Sequence, residues 1–221
     1  MGSKDKTYVL VFSALGIAVN IVLGTVSGIL NIPLLFLDTI GTIFTAAVFG
    51  PFYGALTGGL PHVIQGITTN TKNIPFALVN IAVGIIVGVV AKKKKFTYSI
   101  AVIIGLILAV VAPLIGTPIA VYVYGGITGD FNDVLFTWLT KAGQEVFTAA
   151  FLPRIASNIV DKVVSCIIVA FLLERLPKKY IQGAKYMERS KRIIFISQCI
   201  LNQNTVVSPL ARAKGPYKDM I

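Results

Sequence analysis

Apolar stretches long enough to cross a membrane follow one another along most of the chain. A helix rises about 1.5 Å per residue, so a hydrocarbon core of about 30 Å requires about 20 apolar residues. The alternating polarity of barrel strands is absent from the sequence. The pattern predicts an all-α integral membrane protein with six transmembrane helices, at about residues 8–30, 35–49, 52–68, 74–91, 96–124 and 155–176.

The second and third predicted spans form a hydrophobic hairpin with a Gly50-Pro51 turn between its arms. Polar groups stand at the far ends of both arms, with Asp38 on one and His62 and Gln65 on the other. Both far ends of a hairpin lie at the same membrane face, so the pattern gathers carboxylate, imidazole and amide groups there. A ligand-binding site is the first interpretation of that end.

The last two spans differ from the others in sequence. The fifth contains Pro113 and Pro118, which predict a kink or break near its far end. The connection at residues 125–153 is long and polar and contains Trp138. Loops of that length in compact domains are commonly functional, so this connection is interpreted as a lid with room for a short helix.

The positions of lysine and arginine predict the orientation of the spans. Basic clusters precede the first span, separate the fourth from the fifth at residues 92–95, and follow the sixth. Six crossings place all three clusters on one side, which the positive-inside rule makes cytoplasmic. Both termini are therefore expected in the cytoplasm, and the polar end of the hairpin is expected in the outer half of the membrane.

Other spans contribute polar residues to the same half. Arg154, Asn158 and Asp161 share one helix face at spacings i, i+4 and i+7. A charge at membrane depth costs roughly 2.5–3.5 kcal/mol, so such groups pair inside a bundle or face a cavity. In the alternative interpretation, Arg154 and Asp161 neutralise each other while the amides bridge helices. The predicted substrate-binding residues are Asp38, His62, Gln65, Asn80, Trp138, Arg154, Asn158 and Asp161.

Composition supports the membrane class and argues against several functions. The 221 residues are 55% hydrophobic and 13% charged, which is too apolar for a soluble domain of this size. The net charge of +11 lies mainly beside the spans, which argues against nucleic-acid binding. Two cysteines predict no disulfide framework. His62 is the only histidine and lacks a zinc-binding or catalytic companion motif, so no metal, cofactor or enzymatic activity is expected.

Two sequence features carry a family resemblance. The first predicted helix contains the pair Ala14-x-x-x-Ala18. The hairpin contains LDTIGT at residues 37–42, followed by GPFYGALTGG at residues 50–59. With six basic-flanked spans, these motifs resemble the substrate-binding S component of an energy-coupling factor (ECF) transporter.

The resemblance implies a function, partners and a location. An S component captures a vitamin- or nucleobase-like micronutrient at the outer face of a prokaryotic plasma membrane. It works with a transmembrane coupling subunit and two cytoplasmic ATPases, and the pair at Ala14 and Ala18 would contact the coupling subunit. Loops corresponding to residues 31–33, 70–73 and 125–153 would cap the ligand. The alternative is a ligand-sensing membrane protein or a channel without ATPase partners.

The chain divides by composition into a membrane domain at residues 1–179 and a basic tail at residues 180–221. The tail is expected to be cytoplasmic and poorly ordered. It resembles the truncated start of a protein related to thiouracil desulfidase, in which cysteines hold an iron–sulfur cluster. Because Cys199 is the only cysteine in the tail, neither a cluster nor desulfurising activity is expected.

Overall fold

A computed structural model describes residues 3–30, 32–129 and 131–176, with side chains from Thr7 onward. Seven α-helices and one short 3₁₀ helix make up its regular structure, and this described part contains no β-strand. The tail at residues 180–221, with its predicted resemblance and disorder, lies outside the described residues. The helices are α1 (Ser3–Ile29), α2 (Ile40–Phe49), α3 (Pro51–Thr68), the 3₁₀ helix (Thr71–Phe76), α4 (Ala77–Lys93), α5 (Tyr98–Tyr124), α6 (Asn132–Lys141) and α7 (Val146–Arg175).

Four helical segments of the described chain are long and apolar enough to cross a membrane. They are Thr7–Ile29 in α1, Thr71–Lys93 in the 3₁₀ helix and α4, and the whole of α5 and α7. The chain is therefore a multi-pass membrane protein with an all-helical described part. α2 has 10 residues and a length of about 15 Å, half the thickness of a hydrocarbon core.

The predicted hairpin is present, but its first arm is shorter than expected. α2 ends at Phe49, Gly50 forms the turn with a φ of 92°, and Pro51 begins α3. The arm predicted from about residue 35 becomes helical only at Ile40. Leu34 and Leu37 have positive φ values of 64° and 56°, so an irregular loop occupies the start of the predicted span.

The fifth and sixth spans also differ from the predictions. α5 continues as one helix through both Pro113 and Pro118 to Tyr124, where the left-handed Gly125 caps it, rather than breaking near the prolines. α7 is 30 residues, about 45 Å, and starts at Val146 rather than near residue 155. Apolar residues before Pro153 continue the helix, since Ala149 and Ala150 pack on α6. The long predicted connection is thus reduced to α6 and two short loops.

The helices pack around a core at the junction of α2, α4, α5 and α7. Ile43, Val83, Ile104, Leu108 and Val169 are fully buried in this core. α5 packs along α7, α3 packs along α4, and α1 lies against α2 and α3.

Glycines allow α3 and α4 to approach at backbone distance. A Cβ atom on Gly84 would lie 2.6 Å from the backbone nitrogen of Ala55 and would also overlap Gly54. A Cβ atom on Gly58 would overlap the carbonyl of Asn80. The small residues of this pair of helices therefore serve internal packing, which holds Asn80 close to α3.

Gly84→Ala is expected to destabilise the protein by about 1–3 kcal/mol, because backbone atoms cannot move aside for the added methyl group. Gly28→Ala is the matched control, since a Cβ atom there would meet nothing within 4 Å. Both variants make the same change within a helix, so their difference reports packing alone. Thermal unfolding in detergent measures it. Equal unfolding temperatures for the two variants would contradict the tight α3–α4 contact.

Candidate functional site

A cavity of about 420 Å³ lies among α1, α3, α4, α5 and α7. Each connection predicted to cap a ligand contributes to its wall, through Ile32, Asn73 and Thr128 respectively. Aromatic and aliphatic side chains supply much of the remaining surface. The polar and charged side chains in the wall include Asn20, Asp38, His62, Gln65, Asn73, Asn80, Tyr124, Arg154, Asn158 and Lys162.

Three of the predicted site residues form one hydrogen-bonded cluster. Asn80 Nδ2 donates to Asp38 Oδ2 at 3.0 Å and lies 2.8 Å from His62 Nε2. His62 Nε2 is also 3.7 Å from Asp38 Oδ2. An amide nitrogen can only donate, so this contact is a hydrogen bond when His62 carries its proton on Nδ1 and Nε2 accepts. Asp38, from the loop before α2, thus joins α3 and α4 at the cavity wall.

Lys162 supplies a positive charge that the sequence analysis missed. Its Nζ atom lies 2.7 Å from Asp161 Oδ2, 3.5 Å from Asp38 Oδ1 and 3.2 Å from Thr39 Oγ1. The three contacts match the three donors of an ammonium group. A signal was present in the sequence, since Lys162 follows Arg154 at i+8 and extends the helix face recognised through Asp161.

Asp161 is fully buried and does not line the cavity. Its Oδ1 atom accepts hydrogen bonds from the backbone N–H groups of Phe36 and Leu37, at 2.8 and 2.9 Å. Its other oxygen contacts Lys162. Asp161 therefore fixes the loop between α1 and α2 to α7. It was expected either in the cavity wall or paired with Arg154, and the structure places it in neither arrangement.

Asn20 is a second polar residue of the cavity that the sequence analysis missed. Its Oδ1 atom accepts from the Gly41 N–H at 2.7 Å, and its Nδ2 atom donates to Thr42 Oγ1 at 2.8 Å and to the Thr57 carbonyl at 3.3 Å. One amide thus connects α1, α2 and α3. An asparagine in the middle of an apolar span was the available signal.

Arg154 connects α7 to the loop that follows α5. Its guanidinium donates to the carbonyls of Ala150 and Gly126 at 3.0 and 3.2 Å and to Thr128 Oγ1 at 3.0 Å. Asn158 Nδ2 donates to the Arg154 carbonyl at 2.8 Å. Both residues line the cavity, as does Gln65.

Trp138 lies outside the cavity wall and is 67% exposed on α6. The structure thus brings six of the eight predicted residues to one cavity, places Asp161 behind its wall, and leaves Trp138 apart from it. Within the described residues, no group of three or more His, Cys, Asp and Glu side chains could hold a metal ion.

The predicted partner-binding pair lies on the outside of α1. Ala14 and Ala18 are both exposed, whereas Val9, Ser13 and Asn20 form the buried face of the same helix. The first helix therefore presents its two alanines away from the cavity.

Comparison with known proteins bears on the whole membrane region. The sequence profile of the family described as "ECF transporter, substrate-specific component" matches residues 9–173. The match leaves out the tail, and no comparison supports the tail's resemblance to a desulfidase relative. No curated protein and no solved structure matches the chain. Proteins of the matched family are transport subunits and not enzymes. The profile covers most of the chain and all the helices that form the cavity, so this protein belongs to the substrate-specific components of ECF transporters.

Proposed function

We propose that the protein captures a small vitamin- or nucleobase-like micronutrient in the described cavity and delivers it through an ATP-driven coupling module. The observation that carries the proposal is the cluster of Asp38, His62 and Asn80 at the wall of a 420 Å³ cavity inside an apolar protein. Polar groups at membrane depth are costly unless they pair or face a cavity, and these do both. Ligand sites commonly combine an apolar wall with a few converging polar groups.

The wall favours a ligand that both donates and accepts hydrogen bonds. In the His62 tautomer that accepts at Nε2 from Asn80, the Nδ1–H group remains as a donor. The amide of Gln65 offers both a donor and an acceptor. The aromatic rings of Phe36 and Phe76 also line the cavity and supply flat apolar surface. A planar, polar heterocycle matches this combination.

The proposed topology has six crossings, with α2 and α3 as a short hairpin and both termini in the cytoplasm of a prokaryotic cell. Lys92 and Lys93 end α4 near the Gly50 turn. A Cβ atom on Gly50 would lie only 3.2 Å from the side chain of Lys92. The positive-inside rule supports a cytoplasmic position for that end. The cavity, near the opposite end of the hairpin, would then open outward. Residues 1–179 would form the membrane domain and residues 180–221 a cytoplasmic tail.

The proposed partners are a transmembrane coupling subunit and two cytoplasmic ATPases, with Ala14 and Ala18 at the contact with the coupling subunit. In this cycle the capping loops close over the substrate, and ATP hydrolysis by the partners drives release inward. The substrate can favour the closed state only through its higher affinity for that state.

Variants of the cavity wall test the proposal. His62→Ala, Asn80→Ala and Asn158→Ala are each expected to weaken ligand retention roughly ten- to hundredfold, because a lost hydrogen bond at a buried site costs about 1–3 kcal/mol. Mass spectrometry of small molecules that co-purify with each variant measures retention. Gln144→Ala, at an exposed residue outside the cavity, is the control. Undiminished retention in all three variants would overturn the assigned cavity.

A further inference from the structure

α6 has three distinct sides, and one is fixed against the rest of the protein. Phe136 is buried and Leu139 partly buried in a small apolar cluster with Ala149 and Ala150 of α7. Asn132 is also buried, and Ser157 of α7 donates a hydrogen bond to its side-chain oxygen. Residues 132, 136 and 139 follow helical spacing, so they define the side of α6 that faces α7.

The second side is apolar and exposed. Phe131 precedes the helix, and Val134, Leu135 and Trp138 follow it at i+3, i+4 and i+7, which places all four in one stripe. Val134 is 66% exposed and Trp138 is 67% exposed. A stripe of large apolar side chains on an exposed helix indicates contact with another apolar phase.

The third side is polar and lies between the protein-facing side and the apolar stripe around the helix axis. Asp133, Thr137 and Thr140 recur at i, i+4 and i+7, and Lys141 lies between this side and the apolar stripe. Asp133 accepts hydrogen bonds from the N–H groups of Thr128 and Gly129, which connects this side to the preceding loop. α6 therefore presents protein-facing, apolar and polar sides in turn around its axis.

We propose that α6 lies in the membrane–water interface, with its apolar stripe in the lipid and its polar side toward water. Two membrane-length helices flank α6 in the sequence: α5 ends at Tyr124 and α7 begins at Val146. A short helix between their ends lies at the membrane boundary, where tryptophan and tyrosine are enriched. Tyr122 in the last turn of α5 is also exposed, at 93%.

Lipid explains this stripe better than substrate does. Val134, Leu135 and Trp138 are absent from the cavity wall, whereas Phe131 and Asn132 at the start of α6 line it. The helix thus reaches the cavity at its first turn and the lipid along its length. Anchoring α6 in the interface would hold this part of the cavity wall at a fixed depth in the membrane. The proposal requires only that the chain spans the membrane.

The sequence supplies a selective probe, since Trp138 is the only tryptophan. The full chain is reconstituted in phosphatidylcholine vesicles, and tryptophan emission is recorded with lipids brominated near the headgroup or near the acyl-chain end. We expect a blue-shifted emission and strong loss of intensity with bromine near the headgroup, weaker loss with bromine at the chain end, and weak quenching by aqueous acrylamide.

A pair of variants separates the two exposed sides. Val134→Asp introduces a charge into the apolar stripe and is expected to reduce quenching by brominated lipid and increase quenching by acrylamide. Thr140→Asp makes the same charge on the polar side and should leave both unchanged. Equal effects of the two variants would overturn the proposal. So would emission that acrylamide quenches fully and brominated lipid does not, or emission that responds only to the co-purifying small molecules.

Discussion

Lys162→Met is expected to destabilise the protein by about 3–5 kcal/mol, because removing one partner of a buried ion pair leaves an uncompensated charge in the interior. Asp161 would be left fully buried opposite Asp38, with no cation between the two carboxylates. Asp161 also holds the backbone of Phe36 and Leu37, so its displacement would release the loop that carries Asp38. Unfolding titrations in mixed micelles measure the change.

The controls for this prediction separate buried from exposed charge. Lys141→Met, at an exposed position on α6, should change stability by no more than about 0.5 kcal/mol. Combining Lys162→Met with Asp161→Asn removes both charges, and its cost should be smaller than the sum of the single changes because the two residues are in contact. The ion pair would be shown not to hold the loop by either of two results. One is that the stability losses of Lys162→Met and Asp161→Asn are strictly additive in the double variant, and the other is that Lys162→Met loses no more stability than Lys141→Met.

Ala18→Leu is expected to abolish uptake without reducing ligand retention by the isolated protein. Ala18 is exposed on the outer side of α1, and small residues at four-residue spacing let two helices approach closely. A leucine at such a contact costs about 1–3 kcal/mol, which is roughly a ten- to hundredfold loss of association with the coupling subunit. Uptake assays on cells and co-purification of the coupling subunit measure the two effects.

Val110→Phe is the control for added bulk on an exposed helix face, since Val110 is 47% exposed on α5. Uptake should persist in this variant. The partner assignment fails if Ala18→Leu also loses the small molecule, because that result would mean that the residue packs internally and supports the cavity.

Hydropathy and residue type were sufficient to predict much of the fold and cavity. The Gly50-Pro51 turn was recognisable because glycine readily adopts a positive φ and proline favours the first position of a helix. The structure shows both features. His62, Gln65 and Asn80 were recognisable because polar residues within apolar spans are costly unless they have a partner or a cavity. The structure places all three in the same wall.

The differences arise where tertiary contacts override local signals. Residues 35–37 are apolar and were included in the second span, but Asp161, more than a hundred positions later, accepts hydrogen bonds from the N–H groups of Phe36 and Leu37 and holds a loop there. The connection was predicted to reach residue 153, yet the packing of Ala149 and Ala150 on Phe136 extends α7 back to Val146. Asp161 was assigned to the cavity from the helix face that it shares with Arg154 and Asn158, and Trp138 from its place in the long connection. Only the fold shows which direction each side chain takes.

The most direct test of ligand capture is to compare the small molecules that co-purify with the wild-type protein and with Gly28→Phe. Gly28 lines the cavity and a Cβ atom there meets nothing within 4 Å, so a phenylalanine at this position is expected to reach into the ligand volume. Quantitative mass spectrometry is expected to detect a small molecule bound to the wild-type protein and its loss from the folded variant. Recovery of the same molecule in equal amounts from both proteins would contradict binding in this cavity.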